Sequence, residues 1–277
     1  MNDESDRFNA GRRLVEAIAR VLEDGAVAVL ATLVEAPPPQ RVGAKLLINN
    51  AGELVTGTTN DFALDEEIAR RAVVFLNSRA ETQTYNVKEF APQLGGWGAA
   101  RVMFERIESE PRIVVCGAGH VGASLARLAN TIGYRVTLID DRADFVARAR
   151  FPETDIELVA AGEGWERAVR VAVGKGCGVY VAVVTRGHNE DEECLRAVLA
   201  ARPDYVGMIG SRRRTNIVLE RLSESGIEAE ILREVRAPIG LDIGAVAPEE
   251  VALAVLAEIV AARRGGTGAP LSAWRRE

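Results

Sequence analysis

The chain has 277 residues, of which 48% are hydrophobic and 27% are charged, and its formal net charge is −6. This composition is that of an ordinary globular protein long enough for two domains, and the negative charge disfavours a general nucleic-acid binder, because such a protein needs a basic surface. No window approaches the roughly 18 uninterrupted apolar residues of a membrane span, and the charged first helix is unlike a signal peptide, so we expect no membrane span and a cytoplasmic location.

The first part of the chain predicts a small α+β domain. Its predicted elements are a helix over 7–22, a strand over 27–34, a hairpin of strands 44–48 and 53–55, a helix over 62–76, and strands near 82–87 and 99–107. Three consecutive prolines, Pro37 to Pro39, predict a stiff loop, and Asp61 is a candidate N-cap. The polar segment Glu108 to Pro111 breaks the pattern, so we place the domain boundary there, with domains 1–109 and 110–277.

The second part alternates short apolar strands with helices. The predicted strands are 113–116, 134–139, 156–160, 178–185 and 205–209. Two predicted helices are 120–132 and 248–263, and three further helices run through Phe145, Trp165 and Leu195. Such alternation predicts right-handed crossovers and a parallel sheet covered on both faces. The predicted fold class is therefore α/β, a C-terminal Rossmann-like parallel sheet with a smaller N-terminal α+β domain.

A glycine motif follows the first strand of this second domain. Gly117, Gly119 and Gly122 form G-x-G-x-x-G between a strand and a helix. The first glycine permits a tight turn, the second lets a pyrophosphate approach the backbone, and the third lets the helix pack closely. The helix start, with His120 and Val121, offers unpaired N–H groups to an anion. The alternative is a tight turn that binds nothing.

Polar residues at the ends of neighbouring strands are the next candidates. Asp140 lies at the offset of a ribose-binding acid, and Arg142 is a candidate partner of a phosphate or of Asp141, which is itself a candidate N-cap. Ser211 and Arg212, with the two arginines that follow, either hold an anion at another helix start or form an exposed basic face.

The loop from Thr185 to Asp191 holds the candidate catalytic residues. His188 and His120 are the two histidines of the chain, and an imidazole on such a loop is either an acid, base or ligand, or a structural group. Asp191 either caps the next helix or orients His188.

The three cysteines predict neither a disulfide framework nor a zinc site. Cys116, Cys177 and Cys194 are widely spaced and form no C-x-x-C pair. We expect buried, reduced thiols and predict no metal site.

Several ordered motifs resemble the XdhC/CoxI family. They are VVCGAGHVG from Val114 to Gly122, IDDR from Ile139 to Arg142, RFP from Arg150 to Pro152, TRGH from Thr185 to His188 with Asp191, GMIGS from Gly207 to Ser211, PIGLDIGA from Pro238 to Ala245, and PEEVA from Pro248 to Ala252. In the N-terminal half, PQRVGAKLL from Pro39 to Leu47 and GELV from Gly52 to Val55 also resemble the family.

This resemblance implies an accessory protein, more a chaperone than a catalyst. It would bind the molybdenum cofactor (molybdopterin) as cargo, assist its sulfuration and insert it into a xanthine dehydrogenase or CO dehydrogenase-type molybdenum hydroxylase. The implied partners are the hydroxylase apoenzyme and a cysteine desulfurase, and a homodimer is an open expectation. The predicted cofactor-binding residues are Gly117, Gly119, His120, Val121, Gly122, Asp140, Asp141, Arg142, Thr185, His188, Ser211 and Arg212.

One stretch departs from the family pattern. Family members usually carry a turn of the form G-G-G-C-x-E after the hairpin, whereas this chain reads GTTNDFALD from Gly57 to Asp65, with Ala63 in place of the cysteine. Two alternative functions stay open at this point. One is an NAD(P)-binding oxidoreductase, and the other is a non-catalytic nucleotide-binding partner protein.

Overall fold

The computed structural model describes residues 2–37, 42–78, 80–162, 164–176 and 178–272, without the side chains of residues 2–8 and 188. The chain divides into two compact units, Met1–Ser109 and Glu110–Glu277, and each unit has its own five-stranded sheet. Within the described ranges, no helix is long and apolar enough to cross a membrane. Most of the triple-proline loop and Cys177 lie outside the described residues.

The first unit is an antiparallel sheet with a helix on each face. Its elements are α1 (Asn2–Glu23), β1 (Ala28–Glu35), β2 (Lys45–Asn49), β3 (Leu54–Gly57), α2 (Phe62–Leu76), β4 (Thr82–Asn86), α3 (Val87–Phe90), a 3₁₀ turn (Gly95–Trp97) and β5 (Arg101–Ile107). The strand order is β3-β2-β1-β5-β4. Alternate strand residues face opposite sides, so Val29 and Ile48 pack with α2, whereas Ala28 and Leu47 pack with α1.

The predicted elements of this unit are confirmed with small shifts in their ends. Strands β2 and β3 pair as the expected hairpin, and α2 has the predicted bounds. Asp61 is its N-cap, because the carboxylate accepts a hydrogen bond from the Leu64 N–H at 3.2 Å. The first helix begins at Asn2, earlier than predicted, and α3 is an addition that the sequence pattern did not indicate.

The second unit is the predicted parallel sheet. Its elements are β6 (Arg112–Cys116), α4 (His120–Thr131), β7 (Arg135–Asp140), a 3₁₀ turn (Ala143–Val146), β8 (Ile156–Ala160), α5 (Trp165–Val173), β9 (Val179–Val183), α6 (His188–Ala201), β10 (Tyr205–Met208), α7 (Arg212–Glu224), α8 (Ala229–Glu234) and α9 (Pro248–Arg264). The strand order is β10-β9-β6-β7-β8, and every pairing is parallel.

Both faces of this sheet are buried. Ile113 and Val115 of β6 pack in the cluster that includes α4 and α9, whereas Val114 and Cys116 pack in the cluster that includes α5, α6 and α7. A strand whose alternate residues are apolar on both sides reads as a continuous apolar run. The layered α/β architecture predicted from that run is confirmed.

The predicted helix through Phe145 is wrong. A short 3₁₀ turn and a loop join β7 to β8 instead. The segment contains Pro152 and too few apolar residues for a helical stripe, and the loop is held by arginine side chains that donate to its carbonyls. Arg127 donates to Arg150 O at 2.6 Å, and Arg148 donates to Glu153 O at 2.7 Å.

Candidate functional site

The predicted convergence of loops is present at one edge of the parallel sheet. Strand β6 lies between β7 and β9, so the loops that follow these three strands meet at its carboxyl end, where the strand order reverses. Ligands of open α/β sheets bind at this point. A cavity of about 30 Å³ lies there. Its lining residues are Gly117, Gly119, Asp140, Asp141, Arg142, Val184, Thr185, Arg186 and Glu190.

The three glycines of the motif have two kinds of environment. A Cβ built at Gly117, whose φ is +113°, would lie 2.5 Å from Val184 O, and one at Gly122 would lie 1.8 Å from Gly117 O. A Cβ at Gly119 would meet no atom within 4 Å. Gly117 and Gly122 are therefore required by the protein's own packing, whereas Gly119 leaves open space in front of the backbone.

That open space lies at the start of α4. Gly119 is the N-cap and provides no side-chain acceptor, and the first amides of an α-helix have no intrahelical partner. The His120 side chain is exposed, and Val121 packs partly against the core. The helix start therefore offers main-chain donors to an anion, while neither of these two side chains lines the cavity.

Asp140 is buried and its carboxylate is occupied by the protein itself. Oδ2 accepts from the Ala118 N–H at 2.7 Å and from Arg142 Nη2 at 3.0 Å, and Oδ1 accepts from the Arg142 N–H at 2.9 Å and Nε at 2.8 Å. Burial alone would raise the pKa of Asp140, but the hydrogen bonds from Arg142 and Ala118 outweigh it and lower the pKa below its ordinary value. The carboxylate fixes the glycine loop.

Arg142 is held on a second side by an aromatic ring. Its guanidinium carbon lies 3.4 Å from the centroid of Phe145, and that of Arg150 lies 4.6 Å from the same ring. Arg150 also donates to the Phe145 carbonyl at 2.9 Å. These contacts are cation–π interactions, and with the Asp140 pair they leave Arg142 little freedom.

A second arginine crosses the mouth of the cavity. Arg186 pairs with Asp141 at 2.9 Å and with Glu190 at 3.4 Å. Burial raises the pKa of Asp141, and its hydrogen bond with Asp140 raises it further. The Glu190 pKa is lowered, first by the hydrogen bond with its own backbone and then by Arg186. The sequence pattern points to this loop but not to Arg186 or Glu190 in particular; their i, i+4 spacing at a helix start is the signal that indicates the pair.

Thr185 and Asp191 belong to a buried polar cluster. The Thr185 hydroxyl donates to the Asp191 carboxylate, which also accepts from Arg214 Nε at 2.6 Å. Asp191 has no exposed surface in the described structure. The cluster ties α6 to α7. The predicted capping role is wrong, because Gly187 is the N-cap of α6 and Asp191 lies one turn inside the helix. The His188 side chain lies outside the described residues, so its orientation by Asp191 stays a prediction.

Ser211 and Arg212 stand at the start of α7. Ser211 is the N-cap and accepts from the Arg214 N–H at 3.2 Å. Both side chains are exposed, and neither lines the cavity at the glycine loop. The predicted anion-binding role for these residues stays a prediction.

The described cysteines are buried. Cys116 ends β6 and Cys194 lies on α6, and both are free. Burial, followed by contact with Cys116, raises the pKa of the Cys194 thiol well above its ordinary value. Among the described residues, no group of three or more His, Cys, Asp or Glu side chains could hold a metal ion.

A larger cavity lies away from these loops. Its volume is about 500 Å³, and it lies beside the start of β10, against α8. Lining side chains of both charge signs include Arg202, Arg236, Asp204 and Glu234. We place the candidate site at the smaller cavity, because the glycine loop and the helix start meet there.

The stretch Gly57 to Asp65, which departs from the family pattern, forms a turn held by several hydrogen bonds. Asp65 is buried and accepts from the Thr58 hydroxyl at 2.6 Å and from the Thr59 N–H at 2.9 Å. Asp61 accepts from Trp97 Nε1 at 2.8 Å. Ala63 is exposed on the first turn of α2. The position at which the family carries cysteine therefore faces solvent here.

The second unit is of the Rossmann class by its strand order and by its glycine loop. Residues 113–259 match the XdhC Rossmann domain, and residues 21–86 match the XdhC and CoxI family. The chain belongs to the XdhC and CoxI family.

Three curated relatives are similar to parts of this chain. YqeB of Escherichia coli is 27% identical over 232 residues, covering 82% of this chain and 42% of YqeB. A probable xanthine dehydrogenase component from Bacillus subtilis is 28% identical over 163 residues, which cover 59% of this chain and 46% of that protein. The molybdenum cofactor insertion chaperone PaoD of Escherichia coli is 36% identical over 84 residues, which cover 30% of this chain and 26% of PaoD. The chain spans less than half the length of each.

A solved structure shares the fold. The crystal structure of a xanthine dehydrogenase from Bacillus halodurans matches 92% of this chain and 67% of that chain, with a TM-score of 0.62 and 17% identity. At this identity the likeness shows the fold alone.

Proposed function

We propose that this chain is an accessory protein of a molybdenum hydroxylase, and that it binds the phosphate-bearing end of the molybdenum cofactor at the glycine loop. The observation that carries the proposal is the open space in front of Gly119, at the unpaired amides of α4. A phosphate group fits such a donor set, because the amides point at the anion and the helix dipole favours negative charge. The similarity to a cofactor insertion chaperone supports it.

The chain's own described thiols do not suit a sulfur carrier. Cys116 and Cys194 are buried, and a thiol reacts as an accessible thiolate, whereas burial keeps Cys194 protonated. In this proposal the protein holds the cofactor while a cysteine desulfurase supplies the sulfur, and it then delivers the cofactor to the apoenzyme. A homodimer is part of the same proposal.

The alternative function, NAD(P) binding, depends on the same glycine loop, but the acid that would bind the ribose already pairs within the protein. A ribose diol needs a carboxylate with free acceptor positions, and the carboxylate of Asp140 already accepts hydrogen bonds from Ala118 and Arg142 on both oxygens. Binding of a ribose diol by Asp140 would require Arg142 to give up its hydrogen bonds to that carboxylate. We therefore favour the molybdenum cofactor.

The test is anaerobic binding of molybdopterin to the purified chain. We expect saturable retention of the pterin, and we expect Gly119→Val to abolish it, because the added side chain fills the space that the phosphate would occupy. Gly95→Val is the matched control, since Gly95 lies in the first unit with no atom within 4 Å of its built Cβ. Absence of binding, together with normal maturation of the partner enzyme when this protein is deleted, rejects the proposal.

A further inference from the structure

The mouth of the glycine-loop cavity is crossed by the side chain of Arg186. This guanidinium lies between Asp141, on the loop after β7, and Glu190, on the first turn of α6. The three side chains are partly exposed, at 50% for Arg186, 31% for Asp141 and 32% for Glu190. The bridge therefore spans the loops of two strands that flank β6.

A ligand cannot enter without displacing part of this lining. The cavity holds about 30 Å³, which is room for one or two water-sized groups, whereas small-molecule sites are typically ten times larger or more. Arg142 is fixed by the buried Asp140 and by the Phe145 ring. Arg186 is held by two partly exposed ion pairs, which water screens and weakens. Arg186 is the side chain that can move.

The charges at the mouth oppose an anion while this bridge is closed. Asp140, Asp141 and Glu190 are three carboxylates against two guanidiniums, Arg142 and Arg186. An entering phosphate is repelled by the carboxylates and attracted by Arg186. Glu190 remains satisfied when Arg186 leaves, because it also accepts a hydrogen bond from its own backbone.

We propose that Arg186 is the specificity-determining residue of this site, and that it exchanges Asp141 and Glu190 for a phosphate ester of the ligand bound at the start of α4. The inference rests on the proposed function and adds the residue that reads the ligand's charge. Guanidinium and phosphate form a planar, bidentate pair that is stronger than either exposed carboxylate contact. The site then opens only to a ligand that carries an anionic group.

The test compares charge-removing variants whose expected effects on molybdopterin retention have opposite signs. Arg186→Gln should weaken molybdopterin retention at least about tenfold, because the phosphate loses its charged partner. Glu190→Gln and Asp141→Asn should each strengthen retention about threefold, because they remove competitors for Arg186. In the double variant Arg186→Gln/Glu190→Gln the gain from Glu190→Gln should vanish, since Glu190 acts through Arg186.

Matched controls lie on the same helix. Arg196 pairs with Glu192 at 3.1 Å, also with i, i+4 spacing and similar exposure. Arg196→Gln and Glu192→Gln should leave retention unchanged. A gain from Glu190→Gln that persists without Arg186 would show a general charge effect and overturn the inference, as would wild-type retention by Arg186→Gln.

Two further arms identify the ligand and separate the two proposals. A pterin without phosphate should bind weakly and with no dependence on Arg186, and equal binding of that pterin overturns the inference. NADP should not compete with molybdopterin; competition that depends on Arg186 keeps the phosphate exchange but assigns it to a nucleotide. If neither wild type nor Glu190→Gln retains molybdopterin or NADP, the exchange fails, and normal maturation of the partner enzyme without this protein then rejects the proposed function as well. Retention without Arg186 dependence overturns the exchange alone.

Discussion

Replacement of Asp140 by asparagine separates a structural carboxylate from a ligand-binding one. Asparagine keeps one acceptor oxygen and converts the other into a donor. An amide NH₂ would then face either the Ala118 N–H and Arg142 Nη2, which share Oδ2, or the Arg142 N–H and Nε, which share Oδ1. A buried donor left without an acceptor costs about 1–3 kcal/mol, and loss of charge-assisted hydrogen bonds to Arg142 adds to this. Because Arg142 is 29% exposed and partly regains water, we expect a total loss of about 2–4 kcal/mol.

The assay is chemical and thermal unfolding of the full chain, followed by circular dichroism. A loss of this size should lower the Tm of the second unit by about 5–15 °C, given the usual entropy of unfolding for a domain of its length. Asp141→Asn is the matched control one residue away. Its carboxylate is partly exposed and makes exposed ion pairs, so its replacement should change the unfolding free energy by less than about 1 kcal/mol.

The pH dependence of unfolding tests independently whether the ionised Asp140 carboxylate stabilises the fold. The pKa of Asp140 is lowered in the folded chain relative to the ordinary value of 3.8, so the folded state binds this proton less tightly than the unfolded state does. Its stabilisation is full above about pH 4 to 5 and is lost as the pH falls through the lower folded pKa. Asp140→Asn should lose this contribution. If the variant unfolds like wild type at every pH but fails to bind molybdopterin, the carboxylate serves the ligand and our assignment is wrong.

Three further predictions concern single positions. Gly119→Ala should cost less than about 1 kcal/mol of unfolding free energy, whereas Gly122→Ala should cost about 3 kcal/mol because its Cβ meets a backbone carbonyl; equal urea midpoints would contradict this contrast. Asp191→Ala should cost about 3–5 kcal/mol, since it leaves the guanidinium of Arg214 without its buried partner, and an unchanged Tm would refute it. Asp65→Ala should destabilise the first unit by about 1–3 kcal/mol, because two buried threonine donors lose their acceptor; hydrogen exchange localised to that unit tests it.

The architecture of both sheets was predictable because its signals are local. Apolar runs that alternate with helical stripes indicate a parallel sheet, and the structure has that sheet. The glycine spacing was equally informative: Gly117 and Gly122 meet backbone atoms, and Gly119 meets none. The predicted helix through Phe145 is wrong because the segment has too few apolar residues for a helical stripe and contains Pro152, so that a 3₁₀ turn and a loop form instead.

The pairing of charged side chains was not predictable in the same way. Arg186 meets Asp141 from 45 residues away, and Arg214 meets Asp191 from 23 residues away. Several acids and arginines follow strands that end at this edge, and strand order alone allows more than one pairing among them. Which pairs form depends on side-chain geometry within a few ångströms, which periodicity does not encode. The sequence therefore predicted which loops converge at this edge, but not the side-chain contacts between them.

Asp140 illustrates how a correct position can carry a different role. The offset from the glycine motif predicts a carboxylate at the end of β7, and one is there. The same loop supplies a competitor for it, because an arginine two residues later can return to the acid while its guanidinium stacks on Phe145. A ligand hydroxyl must displace a charged, pre-positioned donor, and a neutral hydrogen bond is weaker than a charge-assisted one. An acid followed at this spacing by arginine and an aromatic residue should therefore be self-paired. Recognition of the ligand's charge should then shift to cations that are held only by partly exposed ion pairs, such as Arg186.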